Sequence, residues 1–144
     1  MSTSQKIVSW LKDYAESANK DGFVIGISGG IDSSLTSTLC ALTGKELLAI
    51  RMPIHQFKNQ DDLSKKHGNW LLDKFPNVKV IELDLTSVFD NFASLFKEEN
   101  KSSLSLANTR ARLRMTTLYQ VAGLYNGIVV GTGNKVEDFG VGFY

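Results

Sequence analysis

Apolar positions along this chain switch between two rhythms. Ile7, Val8, Leu11, Tyr14, Ala15 and Ala18 recur at helical spacing, which predicts an amphipathic helix over residues 4–19 that Asp21 and Gly22 stop. Residues 23–27 are then almost continuously apolar, the pattern of a short strand covered on both faces. The alternation repeats along the chain. A helix is predicted over 33–42, with Gly44 just past its end, and a strand over 47–51 that Pro53 terminates. A helix over 61–75 opens on Asp61 and Asp62 at its dipole-favoured end, and a strand follows over 78–83. Val88, Phe89, Phe92, Leu95 and Phe96 mark another helix, with Ser87 and Asp90 spaced as a capping box. A polar loop over 97–103 leads to a long helix over 106–125, and Asn126-Gly127 turns the chain into a strand over 128–130.

Strands that alternate with helices predict an α/β fold, a parallel sheet with helices on both faces, formed as one domain over residues 1–144. Ligands of such sheets bind beyond the carboxyl ends of the strands. Three loops lie at those ends: the one at Ser28, the one at Arg51-Met52-Pro53, and Gly131-Thr132-Gly133-Asn134.

Composition narrows the class. A net charge of +1 sets up no strong field for nucleic acid or a membrane surface. The single cysteine, Cys40, excludes an internal disulfide framework and suits a reducing cytoplasm. Residues 1–13 lack the basic-then-apolar order of a signal peptide, and no apolar run is long enough to span a bilayer.

The chemistry concentrates in residues 26–34, Gly-Ile-Ser-Gly-Gly-Ile-Asp-Ser-Ser. A strand, a glycine turn and a helix start bring backbone N–H groups and hydroxyls together at a helix N-terminus, where a phosphate is stabilised by hydrogen bonds and by the dipole. The GxxxxGK[ST] and GxGxxG patterns are both absent. No lysine in the loop offsets phosphate charge, so backbone amides and a cation must do so. Asp32 is the nearby carboxylate, and magnesium prefers carboxylate and phosphate oxygens.

The run SGGIDSS resembles the PP-loop of the N-type ATP pyrophosphatases, which cleave ATP between its α- and β-phosphates through an adenylated intermediate. Residues 108–115, NTRARLRM, resemble the KARxRM helix of NAD synthetases, with Arg110 in the lysine position. Residues 131–144, GTGNKVEDFGVGFY, resemble that family's GTGNK-x-E…GFYT segment, and Arg51-Met52-Pro53 with Gln56 and Asp61-Asp62 is similar to its RxP…Q…D loop. The resemblance covers essentially the whole chain and implies the ammonia-using type, since no amidase domain precedes Met1. It also implies an adenine nucleotide alpha hydrolase-like, Rossmann-like fold. The family continues into a TKYGDGG segment beyond the position of Tyr144, so the resemblance implies the N-terminal part of such an enzyme.

By that resemblance the reaction is amidation of deamido-NAD with ammonia, with ATP spent to AMP and pyrophosphate. Gly26, Ile27, Ser28, Gly29, Gly30, Ile31, Asp32 and Ser33 wrap the ATP phosphates, Arg51 and Thr132 also contact ATP, and Gln56 is a weaker candidate. Arg112 holds deamido-NAD, with Arg110 and Arg114 pointing elsewhere on the helix. Asp32 and Glu137 bind Mg2+, with Asp138 an adjacent competitor for the second position. The family's homodimer offers one explanation for the broad apolar face of Leu113, Met115, Leu118, Val121, Ala122 and Tyr125, and core burial offers the other. Other PP-loop adenylating enzymes and an inactive nucleotide-binding module remain as alternatives. His55 and His67 lack ligand spacing and read as surface or loop residues, and Cys40 reads as core.

Overall fold

The structure, a computed structural model, describes residues 1–98 and 102–141. The end of the glycine-rich segment, Gly142-Phe143-Tyr144, and the middle of the polar loop, residues 99–101, lie outside the described residues.

Among the described residues, nine elements follow the predicted alternation. They are α1 (Thr3–Ser17), β1 (Gly22–Gly26), α2 (Ile31–Leu42), β2 (Glu46–Arg51), α3 (Lys58–Lys74), β3 (Val78–Glu82), α4 (Thr86–Ala93), α5 (Ser103–Tyr125) and β4 (Gly127–Val129), with a π-helical turn over Val136–Val141. All strand pairs are parallel and the order is β3-β2-β1-β4. The chain therefore moves outward from β1 through β2 to β3, then returns past β1 to lay down β4. That reversal makes the gap between β1 and β4 the topological switch point.

Strand side chains alternate between two cores, as the period of two demands. Phe23, Ile25, Leu47 and Ala49 pack with Leu11, Ala15, Cys40 and Leu71 of α1, α2 and α3. Val24, Leu48 and Ile50 face the other way, onto Val121 and Ala122 of α5. Each fully buried Ile or Leu contributes about 1.5–3 kcal/mol. Cys40 is fully buried, and burial pushes its thiol up to about 12.

Helix starts differ most from expectation: α2 begins at Ile31 rather than 33 and α3 at Lys58 rather than 61, and two more differ in their caps. The Ser87–Asp90 capping box does not form: α4 begins at Thr86, and the Asp84 carboxylate accepts the Thr86 N–H at 2.8 Å. Ser87 is thus inside the helix, and Asp90 is within hydrogen-bonding distance of His55 Nε2 at 2.6 Å. The long helix starts three residues earlier than the apolar pattern indicates. Ser102 and Ser105 cap one another there, each side-chain oxygen accepting the other's backbone N–H. At its far end Asn126 takes the left-handed conformation that lets the chain reverse into β4.

Candidate functional site

A cavity of about 910 Å3 opens at the carboxyl edge of the sheet, over the switch point. One wall is the loop after β1 and another is the loop after β4, including Gly131 and Thr132. The α5 residues Arg114, Met115, Leu118 and Tyr119 form the facing side. Gly26, Ile27, Ser28, Gly29, Gly30, Ser33, Arg51 and Thr132 all line this space, whereas Ile31, Asp32, Arg112 and Glu137 do not.

The loop after β1 is held from within. Ser33 Oγ accepts the Ser28 N–H at 3.1 Å and donates to the Gly30 carbonyl at 3.2 Å, while Ser28 Oγ accepts the Gly30 N–H at 3.2 Å. Gly29 has φ +86°, and a Cβ there would stand 2.9 Å from the Gln60 carbonyl oxygen and from Leu63 Cβ. The loop can therefore lie flat against α3 only with glycine at this position. Gly30 precedes the first turn of α2, whose leading N–H groups have no carbonyl one turn back. The result is a backbone cradle that suits an anion.

Asp32, in that first turn, accepts a hydrogen bond from Asn134 Nδ2 at 2.9 Å. Asn134 Oδ1 in turn accepts the N–H groups of Val136 and Glu137, each at 3.0 Å. One side chain thus connects the Asp32 carboxylate to the backbone of the turn that carries Glu137. Asp138, the competitor, turns its carboxylate against Gly133, where an added Cβ would meet it at 2.9 Å, whereas Glu137 is exposed. No group of three or more His, Cys, Asp or Glu able to hold a metal occurs among the described residues.

The arginines are distributed unexpectedly. Arg51 is buried, and its guanidinium donates to Ser64 Oγ at 3.0 Å and to the carboxylates of Asp61 and Glu82. Asp61 also pairs with Lys65, and the hydrogen bond from Lys65 is the main reason its carboxyl lies below the usual range. Arg51 thus reaches the cavity as part of a paired cluster tying β2 to β3 and α3. Arg112 points away, exposed, donating to the carbonyl and side-chain oxygens of Asn108 at 3.3 Å. Arg110 lies over the Phe89 ring, 5.4 Å from its centroid. Arg114 faces the cavity and donates to the Met52 carbonyl at 3.0 Å and to Gln56 Oε1 at 3.4 Å.

His67 is not a surface residue. It sits half-buried on α3, 2.8 Å from the fully buried Ser37 hydroxyl of α2 and stacked on Trp70 at 5.8 Å. Burial lowers its pKa.

Comparison with known proteins gives this geometry a context. A family model described as NAD synthase matches residues 3–144. The chain is 35% identical over 138 residues to an NH(3)-dependent NAD(+) synthetase of Carboxydothermus hydrogenoformans, covering 93% of this chain and 55% of that protein. A protein of the same description from Methanosarcina acetivorans is 35% identical over 144 residues, covering 96% and 54%. Among solved structures, the NH3-dependent NAD synthetase of Campylobacter jejuni superposes with TM-score 0.83 at 32% identity, over 93% of this chain and 56% of that one. An NMN synthetase from Francisella tularensis gives TM-score 0.82 at 33% identity, over 93% and 54%. The chain spans about half the length of the curated relatives it matches.

Proposed function

This chain belongs to the NAD synthase family, and from that membership we propose that it supplies the ATP-activating site of an ammonia-dependent NAD synthetase. The observation that carries the reading is the cavity at the β1/β4 switch point, walled by both glycine-rich loops.

A nicotinate carboxylate does not expel oxide when ammonia attacks it. Attack of that carboxylate on the α-phosphorus of ATP forms an acyl-adenylate and releases pyrophosphate. Ammonia then attacks the acyl carbon, a proton is lost, and AMP leaves, giving the amide. Catalysis here rests on positioning and on charge stabilisation. Gly26, Ile27, Ser28, Gly29, Gly30 and Ser33, which line the cavity, form the cradle for the phosphates. Thr132 contacts the nucleotide from the opposite wall, and Arg51 meets it as the edge of its paired cluster. Arg112, on the outer flank of α5, holds deamido-NAD.

Asp32 and Glu137 carry hard oxygen donors on segments joined by Asn134, and together with phosphate oxygens they would hold Mg2+. The donor chemistry suits such an ion, which would offset charge on the departing pyrophosphate. Val121 and Ala122 of the α5 apolar face are core, whereas Met115 and Tyr125, 51% and 58% exposed, are the part of it left for the family's homodimer to cover. One buried free thiol fits a reducing cytoplasm, and no helix among the described residues is long and apolar enough to cross a membrane.

The test is to supply ATP, Mg2+, ammonium and deamido-NAD and to follow NAD by chromatography. NAD formation that requires ATP and ammonium supports the reading, and its absence in a chain that binds ATP reduces the function to nucleotide binding. Similarity to the Francisella NMN synthetase favours a second reading, in which nicotinate mononucleotide is the acid amidated. Running both acids side by side separates the two.

A further inference from the structure

The cavity is lined by three charged side chains among the described residues: Arg51, Asp61 and Arg114. Asp61 and Glu82 neutralise Arg51. Arg114 has no such partner. Its acceptors, the Met52 carbonyl and the Gln56 amide oxygen, are uncharged, and it forms no ion pair among the described residues. Nε and one N–H of a terminal nitrogen are committed to those acceptors, and the other terminal nitrogen keeps both its donors. Burial, and after it the charge of Arg110, lowers the pKa of this group. The positive charge of the cavity wall therefore resides on one poorly hydrated guanidinium.

Its height in the fold is informative. A Cβ on Gly26, at the end of β1, would lie 3.8 Å from Leu118 Cδ1. Helix α5 runs antiparallel to the strands, because it turns directly into β4, which is parallel to β1. Arg114 precedes Leu118 by one turn, so it stands about 6 Å further toward the carboxyl edge. That is beyond the end of β1, on the level of the loop that begins at Ser28. The loop itself contributes amides and hydroxyls and no lysine.

We propose that Arg114 is the cation that binds the phosphate chain of the nucleotide, supplying from α5 the charge that the loop lacks. This inference rests on the reading of the cavity as an ATP site. With Nε held by Met52 and one N–H of a terminal nitrogen held by Gln56, three N–H donors on the two terminal nitrogens remain for phosphate oxygens, one from each nitrogen in the fork that binds such groups.

Calorimetric titration of MgATP and of adenosine into the wild-type protein, Arg114→Met and Arg114→Lys tests it. The methionine variant is expected to bind ATP about tenfold or more weakly while binding adenosine within about twofold of wild type. The lysine variant is expected to recover much of the ATP affinity, and raising the salt concentration to weaken wild type more than Arg114→Met. Equal loss of ATP and adenosine in the methionine variant would make Arg114 a clamp for the Met52 loop and overturn the assignment. So would unchanged ATP affinity, or a folded lysine variant as weak as the methionine one. A wild-type protein that binds neither compound overturns the ATP reading itself.

Discussion

Asn134 donates its side-chain amide to Asp32 at 2.9 Å while its carbonyl oxygen caps the turn that carries Glu137. Only one orientation of the amide satisfies both ends, since the cap needs an acceptor and the carboxylate needs a donor. The loop after β4 is thereby fastened to the first turn of α2, across the switch point.

Removing this fastening should loosen the proposed metal carboxylates without unfolding the domain. Asn134→Ala is expected to weaken MgATP binding by about 1 kcal/mol, the value of one partly exposed charged hydrogen bond. Asn134→Asp should weaken it further, because two carboxylates would then face each other. Titration calorimetry at a fixed Mg2+ concentration, paired with a thermal melt, checks both. Equal affinities for the three proteins would sever Asn134 from the site.

Gly29→Ala addresses the phosphate cradle. The residue has φ +86°, and the new methyl would meet the α3 backbone at 2.9 Å. Strain and collision together should cost about 2 kcal/mol or more in urea denaturation. ATP affinity should fall as well, because the loop must lift from α3. A variant as stable as wild type would show that the loop is not pressed against that helix.

His67 makes stability depend on pH. Its burial lowers the folded-state pKa below the ordinary 6.5, so the unfolded chain binds the proton more readily. The contribution is complete above about pH 6.5, declines as pH falls toward the folded pKa, and levels off below it. Urea denaturation at pH 7.5 and 5.5 should show wild type losing stability and His67→Phe losing less. An identical decline in both would assign the effect elsewhere.

Much of this arrangement is legible in the sequence. The continuous apolar runs at Phe23, Leu47 and Ile128 demand a sheet covered on both faces, and the helices between them demand parallel strands. The glycine turn at Ser28 could be read because its polar groups are local in sequence. Side-chain direction on α5 was not legible. Arg112 and Arg114 are two residues apart, hence on nearly opposite helix faces, and the motif does not say which faces the sheet. Spacing did hold a signal, since Arg114 lies four, seven and eight residues before Leu118, Val121 and Ala122, the face that packs on the strands. Asn134 was equally open to discovery, since it stands where its side chain caps the turn ahead of Glu137. The Arg51–Glu82 pair depends on strand register, and the His67–Ser37 contact joins residues 30 apart, so local patterns reveal neither.

As the proposed ATP-activating site, this cavity directs cleavage of ATP between its α- and β-phosphates. Phosphorus NMR of a reaction containing ATP, Mg2+, ammonium and deamido-NAD reads the broken bond directly. The account predicts AMP and pyrophosphate in equal amounts. Formation of ADP and inorganic phosphate would contradict it.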